Sequence, residues 1–152
     1  MSDERFSLDT NILVYSVDLS SGHRLALARA IIRAAFNRGC WLALQALSEF
    51  YVVATRKGFV DRAAAATQVE DWFTAFPTVA HTPETVRFAI AASRRGEASF
   101  WDAQLISTVA QVGCTALLSE DMADGVVIHG VRIINPFAET GLSAAAGALL
   151  MR

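Results

Sequence analysis

Short apolar runs alternate with longer stretches of helical periodicity along this chain, and that alternation limits the fold more than any other feature. Residues 5–9, 40–44, 114–118 and 131–134 are short and apolar enough to be buried strands, and residues 78–81 form a weaker candidate. Between them lie helical patterns. Residues 23–38 carry Leu27, Ile31, Ala34 and Ala35 at helical spacing. Residues 45–57 carry Leu47, Phe50, Tyr51 and Ala54 in the same way. Further helices are expected over 10–16, 61–75, 83–95 and 99–112. Asp61 and Thr82 serve as N-caps, Pro83 stands at a first helical position, and Gly39, Gly58 and Gly113 act as stops. Short buried strands alternating with helices imply a parallel sheet covered on both faces. In such open sheets, ligands bind beyond the C-terminal ends of the strands.

Composition agrees with one compact domain. The 152 residues are 53% hydrophobic and 18% charged, which argues against disorder. No linker, repeat or low-complexity segment divides the chain. The expectation is one domain over 1–137, followed by a tail, 138–152, whose end is either a last helix or a loose extension. No apolar run is long enough to span a membrane, and residues 1–5 lack a signal peptide's apolar segment, so a cytoplasmic protein is expected. Cys40 and Cys114 form no CxxC motif and sit beside no histidine pair, which argues against zinc. Both read as small buried residues. The net charge of −2 gives no case for nucleic-acid binding by itself. All but Lys57 of the 13 basic residues are arginine, which suits phosphate recognition, although GC-rich coding explains it as well.

Four acids fall at informative places. Asp9 closes the first strand, Glu49 lies one turn into the helix after the second, and Asp121 follows the 114–118 strand. In a parallel sheet all three stand near the C-terminal edge. Asp102 joins them if its helix begins there. Each has a plainer reading. Asp9 can cap the following helix, Glu49 can be a solvated helix residue, Ser99–Asp102 resembles a capping box, and Asp121 can be a turn residue beside Asp124-Gly125. Two features weigh against those readings. Asp9 is flanked by Phe6, Leu8, Ile12 and Leu13, and Asp102 leads the stripe Leu105, Ile106 and Val109. A buried carboxylate must be paired, capped or metal-bound to offset its desolvation. Clustered carboxylates raise one another's pKa values, and a divalent cation relieves that repulsion. Mg²⁺ or Mn²⁺ prefers oxygen ligands and leaves positions for phosphate oxygens. It also lowers the pKa of a water. No histidine nucleophile is required, and His23, His81 and His129 read as surface or structural residues.

The segments Phe6–Tyr15, Leu47–Tyr51, Ser99–Ala103 and Leu118–Met122, followed by Gly130–Phe137, resemble in order the motifs of PIN domains, especially the VapC toxins of bacterial toxin–antitoxin pairs. The likeness spans residues 6 to 137. It implies a three-layer α/β/α sandwich with a mainly parallel central sheet, and endonucleolytic cleavage of RNA that depends on Mg²⁺ or Mn²⁺. By motif, Asp9, Glu49, Asp102 and Asp121 are the catalytic metal ligands, and Thr10, Asn11 and Ser119 support them. Glu120 and Asp124 stand close enough to compete with Asp121. The resemblance also implies a homodimer and a cognate antitoxin that inserts a segment into the site. Arg56, Lys57, Arg94 and Arg95 are candidate RNA contacts as compact basic pairs, although helix-end cations also complement the macrodipole. Phe100 and Trp101 can stack a base, but core packing is the better expectation for at least one of them. Two other readings remain open. One is a phosphohydrolase or phosphotransferase with Asp9 as nucleophile, although Asn11 stands where a second acid is usual. The other is a non-catalytic module of PIN type that binds a partner.

Overall fold

The structure is a computed structural model and describes residues 4–151. Residues 1–3, part of the amino-terminal stretch read above, lie outside the described residues, as does Arg152 at the end of the tail.

Strand β1 (Arg5–Leu8) leads through Asp9 into helix α1 (Thr10–Tyr15), and α2 (His23–Ala35) follows. Next come β2 (Leu42–Ala43), α3 (Leu44–Arg56), α4 (Arg62–Ala75), β3 (Thr78–Val79), α5 (Pro83–Arg94) and α6 (Phe100–Ala110). The chain closes with β4 (Cys114–Leu118), β5 (Val127–Ile128), β6 (Val131–Ile134), β7 (Phe137–Ala138), β8 (Gly141–Leu142) and α7 (Ala144–Leu150). The main sheet has the order β1-β4-β6-β5. Strands β1 and β4 pair in parallel with Leu8 opposite Leu118, and β4 and β6 pair in parallel with Leu118 opposite Ile134. The short parallel pair β2–β3 lies alongside β1, joined by a bridge between Phe6 and Cys40 and by Trp41 N–H donating to Phe6 O at 2.9 Å. The sheet is therefore parallel apart from β5, as the strand–helix alternation predicts.

Alternate residues along the central strands feed two cores. Phe6, Leu8, Ala116, Leu118 and Ile134 pack with α1, α2, α3 and α7 on one face. Leu117, Val131 and Ile133 pack with Leu105, Ile106 and Val109 of α6 on the other. Period-two alternation with apolar side chains on both faces is the signature of a sheet covered by helices on each side. The architecture is the three-layer α/β/α sandwich. Within α6, every residue from Ala103 to Val109 is buried, so this helix sits between α5 and the sheet rather than at the surface. Cys40 and Cys114 are both buried free thiols, as expected from their sequence context.

Several boundaries move for local reasons. Helix α2 stops at Ala35, short of Gly39, because Phe36 leaves helical geometry and Asn37 takes a positive φ of 60°. Phe36 then meets Phe76 edge-on at 6.3 Å between ring centroids. Gly39 still has a structural role. At φ 77°, a side chain there would be strained, and its Cβ would lie 3.3 Å from Glu4 O. Strand β5 has no counterpart among the expected strands. It is turned onto β6 by His129 and Gly130, both with positive φ, which is the two-residue hairpin geometry usually signalled by Asn-Gly.

The tail is ordered into a β7–β8 hairpin and helix α7, whose start is capped by Ser143 Oγ accepting from Ala146 N–H at 3.3 Å. Ala146, Leu149 and Leu150 are buried in the core beside α2. Truncating Leu150 to Ala should therefore destabilise the protein by about 2–4 kcal/mol. A urea melt checks this, and an unchanged midpoint would show that α7 adds nothing to the core.

Candidate functional site

The parallel pairing of β1 with β4 places their C-terminal ends side by side. Asp9 N–H continues the ladder by donating to Leu118 O at 2.9 Å, so Asp9 and Ser119 emerge from the sheet as neighbours. Ser119 Oγ donates to Asp9 Oδ2 at 2.7 Å. The same hydroxyl accepts from Asp121 N–H at 3.2 Å and from Asn11 Nδ2 at 3.3 Å. Asn11 Nδ2 lies 3.0 Å from Asp121 Oδ2 and 3.4 Å from Asp9 Oδ2, while its Oδ1 accepts from Glu120 N–H at 3.4 Å. One asparagine and one serine thus fix two carboxylates from chain segments more than a hundred residues apart.

Asp9 has two functions at once. Its Oδ1 accepts from Thr10 N–H at 2.7 Å and caps α1, so the plainer capping reading is correct as far as it goes. Its other oxygen faces Ser119 and Asn11. Thr10 Oγ1 donates to Glu49 Oε2 at 2.9 Å, and Gln45 Nε2 donates to Glu49 Oε1 at 3.2 Å from one turn earlier on α3. Asp102 arrives by a different route. Helix α6 runs into β4, and a helix feeding a strand must start over that strand's far, C-terminal end. Ser99 caps it, with its Oγ accepting from Asp102 N–H at 3.2 Å.

Asp9, Glu49, Asp102 and Asp121 all line one cavity of about 340 Å³, together with Thr10 and Asn11. Burial raises the Asp9 carboxyl from its ordinary 3.8 to about 6. The bonds from Ser119 and Thr10 oppose that rise, and the charges of Asp102 and Asp121 add to it. Asp102 is also raised, first by burial and then by Asp121 and Glu49, against the lowering effect of Ser99. The cavity contains no cysteine or histidine, so its donors are the oxygens preferred by Mg²⁺ or Mn²⁺ rather than the nitrogen and sulfur favoured by zinc. Among the described residues, no three acid, histidine or cysteine side chains stand close enough to enclose one ion. That spacing fits an ion held by one or two carboxylates with water completing its shell, the usual habit of Mg²⁺.

The neighbouring acids are committed elsewhere. Glu120 accepts from Tyr15 OH and from Arg24, whose Nε lies 2.8 Å away. Although burial alone would raise it, the bonds from Arg24 and Tyr15 and the Arg24 charge hold this carboxyl below its usual range. The Arg24 guanidinium also stacks near the Tyr15 and Phe137 rings. Asp124 Oδ1 accepts from Asn135 N–H at 2.8 Å and ties the loop to the end of β6.

Of the basic candidates, Lys57 lines the acid cavity. Arg56 and Arg94 are exposed at helix ends, and Arg95 pairs with Glu97 at 2.7 Å; none of these three lines it. Phe100 is partly buried against α5, whereas Trp101 is 61% exposed. Sequence reasoning missed Asp18, Tyr15 and Phe59 in the cavity wall. It also missed Gln45, whose spacing of four residues from Glu49 was the available signal. The Arg24–Glu120 pair joins residues 96 apart and left no local trace.

The sequence profile of the PIN domain matches residues 7–123, a span that includes all four acids. The chain belongs to the PIN domain family. Solved structures with this fold include VapC20 of Mycobacterium tuberculosis, described as a Sarcin-Ricin loop cleaving toxin. It has TM-score 0.64 and 17% identity, covering 84% of this chain and 98% of that one. A DNA-bound VapBC from Salmonella typhimurium gives TM-score 0.61 and 16% identity over 86% and 96% of the two chains. A toxin–antitoxin complex from Klebsiella pneumoniae gives 0.61 and 20% over 86% and 97%. No curated protein sequence matches. At these identities the likeness establishes the fold, and the arrangement of this PIN domain's own acids must carry the chemistry. No helix among its described residues is long and apolar enough to cross a membrane.

The raised pKa of Asp9 has a definite consequence for stability. Below about pH 4 the carboxyl is protonated in both folded and unfolded chains. Between about pH 4 and 6 the unfolded chain releases the proton while the folded protein retains it, so stability falls as pH rises and then levels off. The loss is on the order of 3 kcal/mol. In metal-free buffer, Asp9→Asn should therefore be more stable than wild type by about 1–2 kcal/mol at neutral pH, the rest being offset by its altered contact with Ser119, and should show little gain near pH 4. Denaturant melts at the two pH values check this; equal stability at both would mean that Asp9 carries no desolvation penalty.

Proposed function

We propose that this protein is a divalent-metal-dependent endoribonuclease, the toxin of a VapBC-type toxin–antitoxin pair. The observation that carries the proposal is the convergence of Asp9, Glu49, Asp102 and Asp121 on one cavity at the C-terminal edge of a PIN-family sheet. One or two of these four carboxylates, with water completing the shell, would hold each Mg²⁺ or Mn²⁺ ion, with Thr10, Asn11 and Ser119 orienting the carboxylates. Such an ion supplies a lowered pKa for water and polarisation of the phosphoryl group. The chain's own residues set the geometry. The Asn11–Ser119 pair holds Asp9 and Asp121 at a fixed separation, Thr10 and Gln45 aim Glu49, and the Ser99 cap fixes the turn bearing Asp102.

RNA supplies the substrate phosphates in this reading, and Lys57 is the cation best placed to meet one, because it lies in the cavity wall. A cognate antitoxin belongs to the proposal, supported by the fold shared with VapBC complexes, and a homodimer is proposed with it from the family resemblance alone. A cytoplasmic location is part of the same proposal. The alternative with Asp9 as a nucleophile fits less well, since Asn11 stands where a second acid is usual and Lys57 is the only lysine. The binding-module alternative has no structural loss to support it, because all four acids line the cavity.

Purified protein should cleave a labelled RNA pool with Mn²⁺ or Mg²⁺ and not with EDTA. Asp102→Asn should lose at least about 100-fold in rate while its circular dichroism stays native, a loss of about 3 kcal/mol in transition-state stabilisation. Folded, antitoxin-free protein that cleaves nothing in either metal would reject the proposal. Lys57→Ala should weaken RNA binding and make its salt dependence shallower by about one phosphate contact; an unchanged slope would remove Lys57 from the interface.

A further inference from the structure

Beside the acid cavity lies a second one of about 460 Å³, and Glu49 lines both. Its wall includes Trp101, His81, Leu44, Ser48, Gln45 and Gln104, and no lysine or arginine. Trp101 directly precedes Asp102 in α6 and is 61% exposed. The Phe100 ring braces it edge-on at 5.0 Å between centroids. Below it runs a chain of amides. Gln104 is 3% exposed, and its Nε2 donates to Gln45 Oε1 at 3.1 Å. Gln45 Nε2 donates in turn to Trp101 O at 3.0 Å and to Glu49 Oε1 at 3.2 Å. Gln45 therefore ties the carbonyl of the exposed tryptophan to a carboxylate of the acid site.

We propose that this second cavity receives an unpaired RNA base adjoining the scissile phosphate, stacked on Trp101. The inference rests on the ribonuclease reading of the acid cavity and extends it to the recognition of a flanking nucleotide. Three observations select this occupant. The cavity adjoins the acid site at Glu49, which lines both, so a nucleotide whose phosphate lies among the acids has its base within reach. Its wall offers a broad aromatic surface with a few amide and hydroxyl groups, which suits a flat, hydrogen-bonding ring. It offers no lysine or arginine and includes the Glu49 carboxylate, so a neutral base fits where a second phosphate does not. A base paired in a duplex cannot enter, so the substrate is single-stranded or looped at the cleavage point.

The test uses the full chain and an unstructured, fluorescein-labelled RNA dodecamer of mixed sequence. Binding is followed by anisotropy in Ca²⁺, and cleavage in Mn²⁺. Trp101→Ala should weaken Kd and raise KM by roughly 5- to 100-fold, the range expected for one base stacked on an aromatic ring. It should leave kcat within a few-fold. Trp101→Phe should recover most of the loss, and a duplex of the same sequence should bind wild type and Trp101→Ala alike. A substrate carrying an abasic position next to the cut should lose affinity for wild type but lose little more for Trp101→Ala, because both changes remove the same contact. If wild type cleaves the RNA and Trp101→Ala matches it in Kd and KM, this inference falls while the ribonuclease reading stands. The cavity would then be free for another occupant, such as a partner's peptide. If wild type neither binds nor cleaves RNA, both fall together.

Discussion

The pairing of β1 with β4 is the constraint on which the site depends. These strands lie far apart in the chain, yet their parallel register sets Leu8 against Leu118. Asp9 and Ser119 therefore leave the sheet together, close enough for a 2.7 Å hydrogen bond. Both strands are buried on two faces, so a slip of one residue would turn apolar side chains into the wrong core. The packing of Phe6, Leu8, Leu117 and Leu118 thus fixes the positions of polar groups that it does not touch. Helix α6 depends on the same strand. Because it precedes β4 and packs against the sheet, its first turn, with Asp102, falls at the edge where β4 ends.

That arrangement gathers negative charge in a place with limited water. Burial does most to raise Asp9, and its acidic neighbours add to the effect. The surrounding neutral donors work in the opposite direction. Thr10, Asn11, Ser119 and Gln45 each give a hydrogen bond to one of the acids. They stabilise the carboxylates without neutralising them, which leaves net negative charge for a cation to bind. Glu120 is treated differently. Arg24 and Tyr15 hold it away from the cavity, with Phe137 beside the guanidinium. The ion pair therefore anchors the loop that carries Asp121 to α1, α2 and the start of the C-terminal hairpin. Adjacent acids in one loop thus differ in function because one meets an arginine and the other faces the cavity.

The exposed Trp101 contrasts with the rest of α6, whose residues 103–109 are buried. Phe100 packs inward and Trp101 does not, so of two consecutive aromatics one serves the core and the other forms the wall of a cavity beside the acids. The Gln45–Gln104 amide pair links that wall to Glu49. The second cavity and two of the four acids, Glu49 and Asp102, are in this way built on the same two helices, α3 and α6, which limits how far one can move without the other.

The sequence alone determined the parallel sheet and the positions of most helices, and it singled out four candidate acids, because strand length, helical periodicity and the order of motifs are local properties of the chain. Asp9 at a strand end and Glu49 one turn into a helix are legible for that reason. The motif favoured Asp121 over Glu120, but both follow the same strand and nothing local shows what separates them. Only the tertiary structure brought Arg24 to one and Asn11 to the other. The tail was equally undecided, because its Ala and Leu residues favour a helix but a helix of 7 residues is too short to persist without packing on α2. Lys57 and Arg94 look alike as helix-end cations, yet only Lys57 lies in the cavity wall, since α3 packs against α1 and lines the cavity with Glu49 and Val53 as well. Chain-local chemistry specified what each element is. Contacts between distant segments decided which side chains share a cavity, because they depend on register and packing that no single segment contains.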